Sequence, residues 1–477
     1  MKKKETLIDA IDIKSLIRSV EGTLEVILLC AVYYIACHIG YPYDHFFPGF
    51  ALGNYILAGV YGLLVAILFA SFDGFKFGYL RITEVLLSQW IALCIVNFVT
   101  YWQLCLVAGN VISPLPLVLT TLVGAAVSFL CTISYTFVYH RLYVPKNMVM
   151  IFGRDKAVTL KFKMETRPDK YRIVKLIPAE EGFDKICEQI VNYDAVVIND
   201  IQAGLRNDIL KFCYKNEIRT YLTPKISDII VHGATNINLF DTPLALVKGI
   251  GLSSTQRIVK RFMDLLISLF VFIIASPIML LVALAIKLED GGPVFYKQAR
   301  VSLDGKVFNI LKFRSMIVDA EKDGLSIPAT GKDPRITKIG QITRATRIDE
   351  LPQLLNIIKG DMSIVGPRPE RVEHMQKYGE MVPEFDFRTK VKGGLTGYAQ
   401  VYGKYNTSPY DKLRLDMMYI ENYSLLLDIK LILMTIRIML TKESVEGFET
   451  IEQLENMAID AAEHCGNTAK DTPSVTK

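Results

Sequence analysis

The run Met263-Asp264-Leu265-Leu266-Ile267-Ser268-Leu269-Phe270-Val271-Phe272-Ile273-Ile274-Ala275-Ser276-Pro277-Ile278-Met279-Leu280-Leu281-Val282-Ala283-Leu284-Ala285-Ile286-Lys287 decides how this chain is laid out. At roughly 25 residues it is long enough to cross a bilayer core. Three features argue against a straight span. Its middle holds Ser276-Pro277, and a proline inside a helix removes a backbone hydrogen bond and bends the axis. Basic residues flank both ends, with Arg257, Lys260 and Arg261 before it and Lys287, Lys297 and Arg300 after it. A full crossing would also carry the charged region downstream to the opposite face. The expectation is a re-entrant helix–break–helix over residues 263–287 that enters and leaves on one side. The polar backbone freed at the break must then find partners within the protein, because lipid offers none.

Upstream, four apolar stretches near residues 24–39, 51–71, 85–107 and 111–138 read as transmembrane spans. Lys2, Lys3, Lys4, Lys14 and Arg18 precede the first, Lys76 and Arg81 lie between the second and third, and Arg141 and Lys146 follow the fourth. The other two connections carry no Lys or Arg, so the positive-inside rule puts both ends of a four-helix bundle (residues 1–145) in the cytoplasm. An apolar fraction of 51% agrees with a multi-pass membrane protein. A net charge of +5 is too small to suggest nucleic-acid binding, yet fits a chain resting on an anionic leaflet. The eight cysteines form no CxxC pair, and no His sits at ligand spacing from another His or a Cys, so a zinc site is not expected.

Between bundle and apolar run, residues 146–250 alternate apolar runs (148–152, 171–177, 195–198, 220–222) with helical stretches (156–166, 183–191, 205–216). Such alternation implies a parallel sheet in a small Rossmann-like unit. The turn after its first strand is Gly153-Arg154-Asp155, with one glycine where a pyrophosphate fingerprint needs several. A structural or regulatory role and nucleotide binding both remain open for it. An epimerase or dehydratase reading is weakened by the missing fingerprint and by the expected lack of a Tyr-x-x-x-Lys pair.

Downstream, the chemistry concentrates in Arg344-Ala-Thr-Arg347-Ile-Asp349-Glu350-Leu-Pro352-Gln353-Leu-Leu-Asn356-Ile-Ile-Lys359-Gly360-Asp361. Leu351, Leu354, Leu355 and Ile358 recur at helical spacing, Pro352 fits only a first turn, and Gly360 is a natural stop. Asp349 and Glu350 therefore sit at a helix start, where free N–H groups favour negative charge. One reading is an acidic cap. The other is a phosphate site with a carboxylate nucleophile and a divalent cation. Arg344, Arg347 and Arg368, the last held between two prolines in Gly366-Pro367-Arg368-Pro369, favour the second. Residues 411–440 read as one amphipathic helix, packed under the domain or lying on the membrane surface. The tail, 446–477, carries no chemical motif.

Residues 256–440 resemble the bacterial sugar transferases, the monotopic polyprenyl-phosphate phosphoglycosyltransferases. The matching segments are Lys260-Arg-Phe-Met-Asp264, Ser276-Pro277, Gly292-Pro293-Val-Phe295-Tyr-Lys-Gln298-Ala-Arg300, Lys312-Phe313-Arg314-Ser315-Met316 and Asp333-Pro334-Arg335-Ile336-Thr337. They continue through Arg347–Gln353, Gly360-Asp361-Met362-Ser363, Gly366–Pro369 and Gly394-Leu-Thr396-Gly397-Tyr-Ala-Gln400-Val401. With the bundle and the middle unit, the layout resembles the large members that initiate exopolysaccharide, capsule or O-antigen repeat units.

The resemblance implies a catalytic domain over 256–445 on the cytoplasmic face of the inner membrane. There Asp349 attacks a UDP-sugar, releases UMP and forms an aspartyl phospho-sugar, and undecaprenyl phosphate then takes the sugar phosphate. Glu350 and Asp349 would share a Mg2+ ion, and Arg344, Arg368, Lys312, Arg314 and Lys404 would meet phosphate. The sugar expected is glucose or galactose, with N-acetylated and diamino sugars open, and a homodimer is expected of this layout. The chain departs from the family at Lys392-Gly393-Gly394, where Lys-Pro-Gly is usual, and at Tyr402-Gly403-Lys404, where Asn-Gly-Arg is usual. A lysine in place of that arginine keeps the charge but loses the fork. The alternative function is a membrane-anchored, nucleotide-sensing regulatory or scaffolding protein with an inactive transferase domain. It would be supported by loss of the acidic pair, and both residues are present.

Overall fold

The computed structural model describes residues 2–41, 51–142, 145–153, 157–318, 333–403 and 407–439, in two compact units, Met1–Pro145 and Lys146–Lys477. Lys404 and the tail 446–477 lie outside the described residues, as do Arg154 and Asp155 of the single-glycine turn.

The first unit is four helices, α1 (Lys2–Gly40), α2 (Ala51–Ser71), α3 (Ile82–Ala108) and α4 (Leu115–Leu142). Each packs on its neighbour in sequence, and α1 also packs on α4, closing a ring. One boundary differs from expectation. α4 starts at Leu115, because Pro114 and Pro116 suit a first turn and not an interior. Inside the ring, Tyr33 stacks on Tyr61 with centroids 4.2 Å apart. Gln89 donates to Glu25 at 3.1 Å and to the Gly74 carbonyl at 3.2 Å, while Thr132 donates to Gln89. Outward residues such as Ile27, Leu63, Phe98 and Leu122 stay exposed. These four helices and α9 below are long and apolar enough to cross a membrane.

The second unit opens with the expected alternation. β1 (Lys146–Phe152), α5 (Ala157–Glu165), β2 (Tyr171–Pro178), α6 (Phe183–Ile190), β3 (Ala195–Asn199), α7 (Ala203–Lys215) and β4 (Arg219–Leu222) build a parallel sheet in the order β2-β1-β3-β4. β1 and β3 are buried on both faces, which is why they read as unbroken apolar runs. A side chain at Gly153 would collide with the Asp200 carbonyl, so this glycine is needed where the β1 turn packs against the β3 turn. Contrary to expectation, Tyr-x-x-x-Lys spacings do occur here. Tyr171 and Lys175 lie in β2, where four residues span about 13 Å, and Tyr221 and Lys225 run from β4 to the cap before α8. Neither pair stacks on a helix face.

Two elements were not foreseen, α8 (Ile226–His232) and a hairpin of β5 (Thr235–Leu239) with β6 (Thr242–Leu246). Ile226 and Ile229 of α8, with Leu252, are buried in the same core as Leu354, Phe385, Met417 and Tyr419. The core thus crosses the boundary expected near residue 250.

α9 (Ser254–Asp290) begins at a Ser253–Gln256 capping box and ends at left-handed Gly291. No break interrupts it. Pro277 cannot donate to the Ile273 carbonyl one turn back, and the Ser276 hydroxyl takes that place at 2.8 Å. The expected helix–break–helix is therefore one helix containing a proline, with its freed acceptor satisfied locally. Lys260, Asp264, Ser268, Ala275, Met279 and Ile286 form one buried stripe at helical spacing, on both sides of Pro277. On the opposite side Phe262, Leu266, Phe270, Ile273, Leu280 and Leu281 are more than half exposed.

The rest surrounds that stripe. β7 (Phe295–Val301) and β8 (Val307–Phe313) pair antiparallel; α10 (Lys338–Ala345), a 3-10 turn over Ile348–Glu350 and α11 (Gln353–Lys359) follow. β9 (Ser363–Val365) pairs in parallel with β10 (Gly394–Thr396), with α12 (Val372–Met381) and the 3-10 stretch Pro383–Lys390 between them. α13 (Tyr398–Tyr402), α14 (Pro409–Glu421) and α15 (Leu425–Met439) close the unit. The single amphipathic helix expected over 411–440 is two helices. Asn422 ends α14 by donating its backbone N–H to the Met418 carbonyl, and the Ser424 hydroxyl accepts from the Leu427 N–H to start α15.

Candidate active site

The acidic pair lies on the 3-10 turn that leads into α11, one turn ahead of the regular helix rather than on its first residues. Arg347 enters the turn in the left-handed region, φ 58°, a conformation costing a residue with a Cβ about 1–2 kcal/mol. Ile348 and Leu351 pack with Phe313, Met279 and Ile286, so Asp349 between them is drawn into the protein and is 8% exposed. Gly360 stops α11 at φ 98°, as its sequence position suggested. The buried face of α11 is Gln353, Leu354, Asn356 and Ile357, whereas Leu351, Leu355 and Ile358 of the expected apolar face are only half-buried.

Asn356 explains the difference. Its side chain donates to the Asn309 carbonyl at 2.9 Å and accepts from the Leu311 N–H at 2.9 Å, pairing with β8 as a strand would. That junction fixes α11 against β8 and brings the next β8 residue, Lys312, to Glu350 at 3.1 Å. Arg368 donates to the same Glu350 oxygen, Oε1, at 2.8 Å. Burial alone would push the Glu350 carboxyl up, but Arg368 and Lys312 outweigh it and hold the group well below the usual carboxylate range. Asp349 behaves oppositely. Burial pushes it up, opposed by Lys312 and reinforced by Glu350, and its Oδ1 is buried with no hydrogen-bond partner. A buried acceptor left unpaired beside a carboxylate that already holds two cations suits a group that reacts or binds.

Arg344, at the end of α10, is half-buried and its charge acts on Asp349. Arg314 is elsewhere. Its guanidinium is buried and paired with Asp290 at the end of α9, over Gly292, which has no room for a side chain there. Ser276 and Pro277 lie within α9 as described. Among the described residues, no group of three or more His, Cys, Asp or Glu could hold a metal. Magnesium commonly uses one or two carboxylates and completes its shell with substrate phosphates and water, so the free Asp349 oxygen and the adjacent Glu350 suit it.

Several residues that shape the site were marked in the sequence only as charges flanking the apolar run or as part of the family resemblance, with no structural role. Lys260 pairs with Asp428 at 2.6 Å, both buried. Arg261 donates to the Ile357 and Ile358 carbonyls at 2.6 and 2.7 Å, capping the end of α11. Asp264 accepts from the Ser363 hydroxyl and the Ile364 N–H, each at 3.0 Å. The Lys260–Asp264 motif thus bolts α9 to α15, α11 and β9; charged residues at the mouth of an apolar helix were the available signal.

The bacterial sugar transferase family model matches residues 255–442. Over 211 residues the chain is 39% identical to the UDP-glucose:undecaprenyl-phosphate glucose-1-phosphate transferase of Escherichia coli (strain K12), covering 43% of this chain and 44% of that protein. It is 34% identical over 321 residues to the UDP-N-acetylgalactosamine-undecaprenyl-phosphate N-acetylgalactosaminephosphotransferase of Aeromonas hydrophila, covering 66% of this chain and 72% of that protein. An undecaprenyl-phosphate glucose phosphotransferase of Komagataeibacter xylinus is 36% identical over 311 residues, covering 61% of this chain and 58% of that protein. The match spans about half the length or less of the enzymes from Escherichia coli and Klebsiella pneumoniae, 44% and 51%.

Proposed function

We propose, from the premise that this chain belongs to the bacterial sugar transferase family, that it moves a hexose-1-phosphate from a UDP-sugar to undecaprenyl phosphate at a membrane. The observation that carries the reading is Asp349 Oδ1, buried and unpaired beside a Glu350 already held by two cations. In this reading Asp349 attacks the sugar-bearing phosphorus. A new P–O bond forms to its carboxylate, the bond to the bridging oxygen breaks, and UMP leaves with the electron pair. A phosphate oxygen of undecaprenyl phosphate then attacks the aspartyl phospho-sugar and restores Asp349. Lys312 and Arg368 offset charge at the transferring phosphoryl, and Arg344 adds to that field. A Mg2+ ion held by Asp349 and Glu350 would neutralise the pyrophosphate.

The membrane part of the proposal rests on α9. Both halves of the helix pack on the same domain, which supports ends on one side and an exposed apolar face that meets lipid as a monotopic element. The Lys and Arg residues before the first apolar span and after the fourth support a catalytic domain on the cytoplasmic face. The relatives include a glucose-1-phosphate transferase and an N-acetylgalactosaminephosphotransferase. Glucose or galactose remains the proposed sugar, for exopolysaccharide, capsule or O-antigen assembly by a homodimer.

The test is UMP release from membranes containing the protein, undecaprenyl phosphate, magnesium and, in turn, UDP-glucose, UDP-galactose and their N-acetylated forms. Release that depends on the lipid and on one donor supports the reading. No release with any donor overturns it.

A further inference from the structure

The segment Gly366-Pro367-Arg368-Pro369-Glu370 has an unusual hydrogen-bonding problem. Two of its five residues lack an N–H, so it must be fixed mainly through its carbonyls. All four carbonyls from Pro367 to Glu370 are taken. Gly394 N–H donates to Pro367 O at 2.9 Å, and Val301 N–H donates to Glu370 O at 2.9 Å. The two between them are gripped by side chains. Arg388 Nη2 donates to Arg368 O at 2.9 Å, and Arg300 Nη1 donates to Pro369 O at 3.0 Å. Gly366 N–H completes the set at Thr396 O, 2.8 Å away.

We infer that Arg388 is a positioning residue that sets where the Arg368 guanidinium points, acting through the Arg368 carbonyl. The inference rests on the proposed role of Arg368 at the transferring phosphate.

Arg388 is itself immobilised. It is 3% exposed, lies 4.9 Å over the Phe385 ring, and meets Glu370 at 3.2 Å and Asp416 at 2.8 Å. Glu370 is held in turn by Lys412 at 2.6 Å. One planar guanidinium therefore links a buried carboxylate on α14, the acidic residue of the loop and the main chain of Arg368. On the far side of that residue, its own guanidinium reaches Glu350. A lysine could keep the charge but has no fork to hold the Arg368 carbonyl while staying beside both carboxylates. A bond to the backbone also explains why the effect should be geometric: a shift of about 1 Å in a group that holds a reacting phosphate costs about 10²-fold in rate.

The test uses the full chain in membranes, with Arg388→Lys measured alone and in an Arg368→Ala background. Hydrogen exchange of the amides of residues 366–371 is read beside UMP release from UDP-glucose and UDP-galactose. Positioning predicts faster exchange in that loop, with the domain still unfolding in one cooperative transition. It also predicts a loss of about 10²-fold in turnover when Arg368 is present but less than about 3-fold when it is absent, because coupled residues are non-additive. Unchanged loop exchange, or the same loss in both backgrounds, overturns it. Phe385→Leu, which removes the supporting ring and leaves every charge in place, carries the same expectations at smaller amplitude should Arg388→Lys fail to fold. If the parent protein releases no UMP from any donor, the proposed function fails, and loop exchange alone then decides Arg388.

Discussion

Asp349 and Glu350 are consecutive in the chain, yet only Glu350 is paired: its Oε1 takes both Lys312 at 3.1 Å and Arg368 at 2.8 Å, while Asp349 keeps a buried oxygen unpartnered. A 3-10 turn makes this division possible. It sends the Glu350 side chain toward Lys312 and Arg368 and leaves Asp349 buried, between chain neighbours Ile348 and Leu351 that pack with Phe313. The two carboxyls are thereby pushed apart in acidity, Glu350 down and Asp349 up.

Replacing Asp349 by Asn separates chemistry from stability. Turnover should fall more than about 10³-fold, since the attacking oxygen is gone. The melting midpoint should hold or rise, because a carboxylate with an unpaired buried oxygen is costly and a neutral amide is less so. UMP release and thermal melting check this together; retained turnover would remove Asp349 as nucleophile.

Glu350→Gln should instead destabilise the domain by about 1–3 kcal/mol, less than for a fully buried pair because Lys312 and Arg368 are partly exposed. The pH dependence has a definite sign. A carboxyl held low contributes stability that is fully present above its ordinary value of 4.5 and is lost as pH falls through that value toward its lower native one. Asp349, raised from 3.8, gives the opposite slope just above that value. The parent's acid-side loss of stability below about pH 4.5 should therefore shrink in Glu350→Gln, as read from melting midpoints in a pH series.

Lys260→Met leaves Asp428 buried without its cation. A cost of about 3–5 kcal/mol is expected, as for breaking one side of a buried pair. Lys260→Met with Asp428→Leu should recover most of it, because two apolar groups of similar size remove the stranded charge. Denaturant or thermal unfolding of the two variants tests this; equal losses would contradict it.

Leu288 is 76% exposed at the end of α9, and Ile258 is 70% exposed near its start. Single cysteines at these positions, in a background free of native cysteines, should both resist an impermeant thiol reagent applied outside the cell and react in inverted membranes. Outside labelling at Leu288→Cys with protection at Ile258→Cys would restore a full crossing.

Much of this architecture was legible from local pattern. Four apolar spans, a strand–helix alternation and the Gly360 stop are fixed by neighbours within a few residues, and each stands close to where periodicity puts it. The Asp349–Glu350 pair and the Arg368 loop were legible as residue types suited to phosphate. Less legible were α8 and the β5–β6 hairpin, which are short, and the split between α14 and α15, where one serine and one asparagine reset the helix.

The sequence by itself also determined that Ser276-Pro277 must disturb a helix. Only the tertiary structure decided that the serine would repair what the proline removed, leaving α9 whole. It likewise decided which cations reach the acidic pair. Lys312 in β8 and Arg314 just past its end stand two residues apart, but one meets Glu350 and the other Asp290. The reason is range. Periodicity is written in contacts a few residues long, whereas charge pairing here joins positions 38 apart for Lys312 and Glu350 and 168 apart for Lys260 and Asp428, and no local pattern records which of several like charges will arrive.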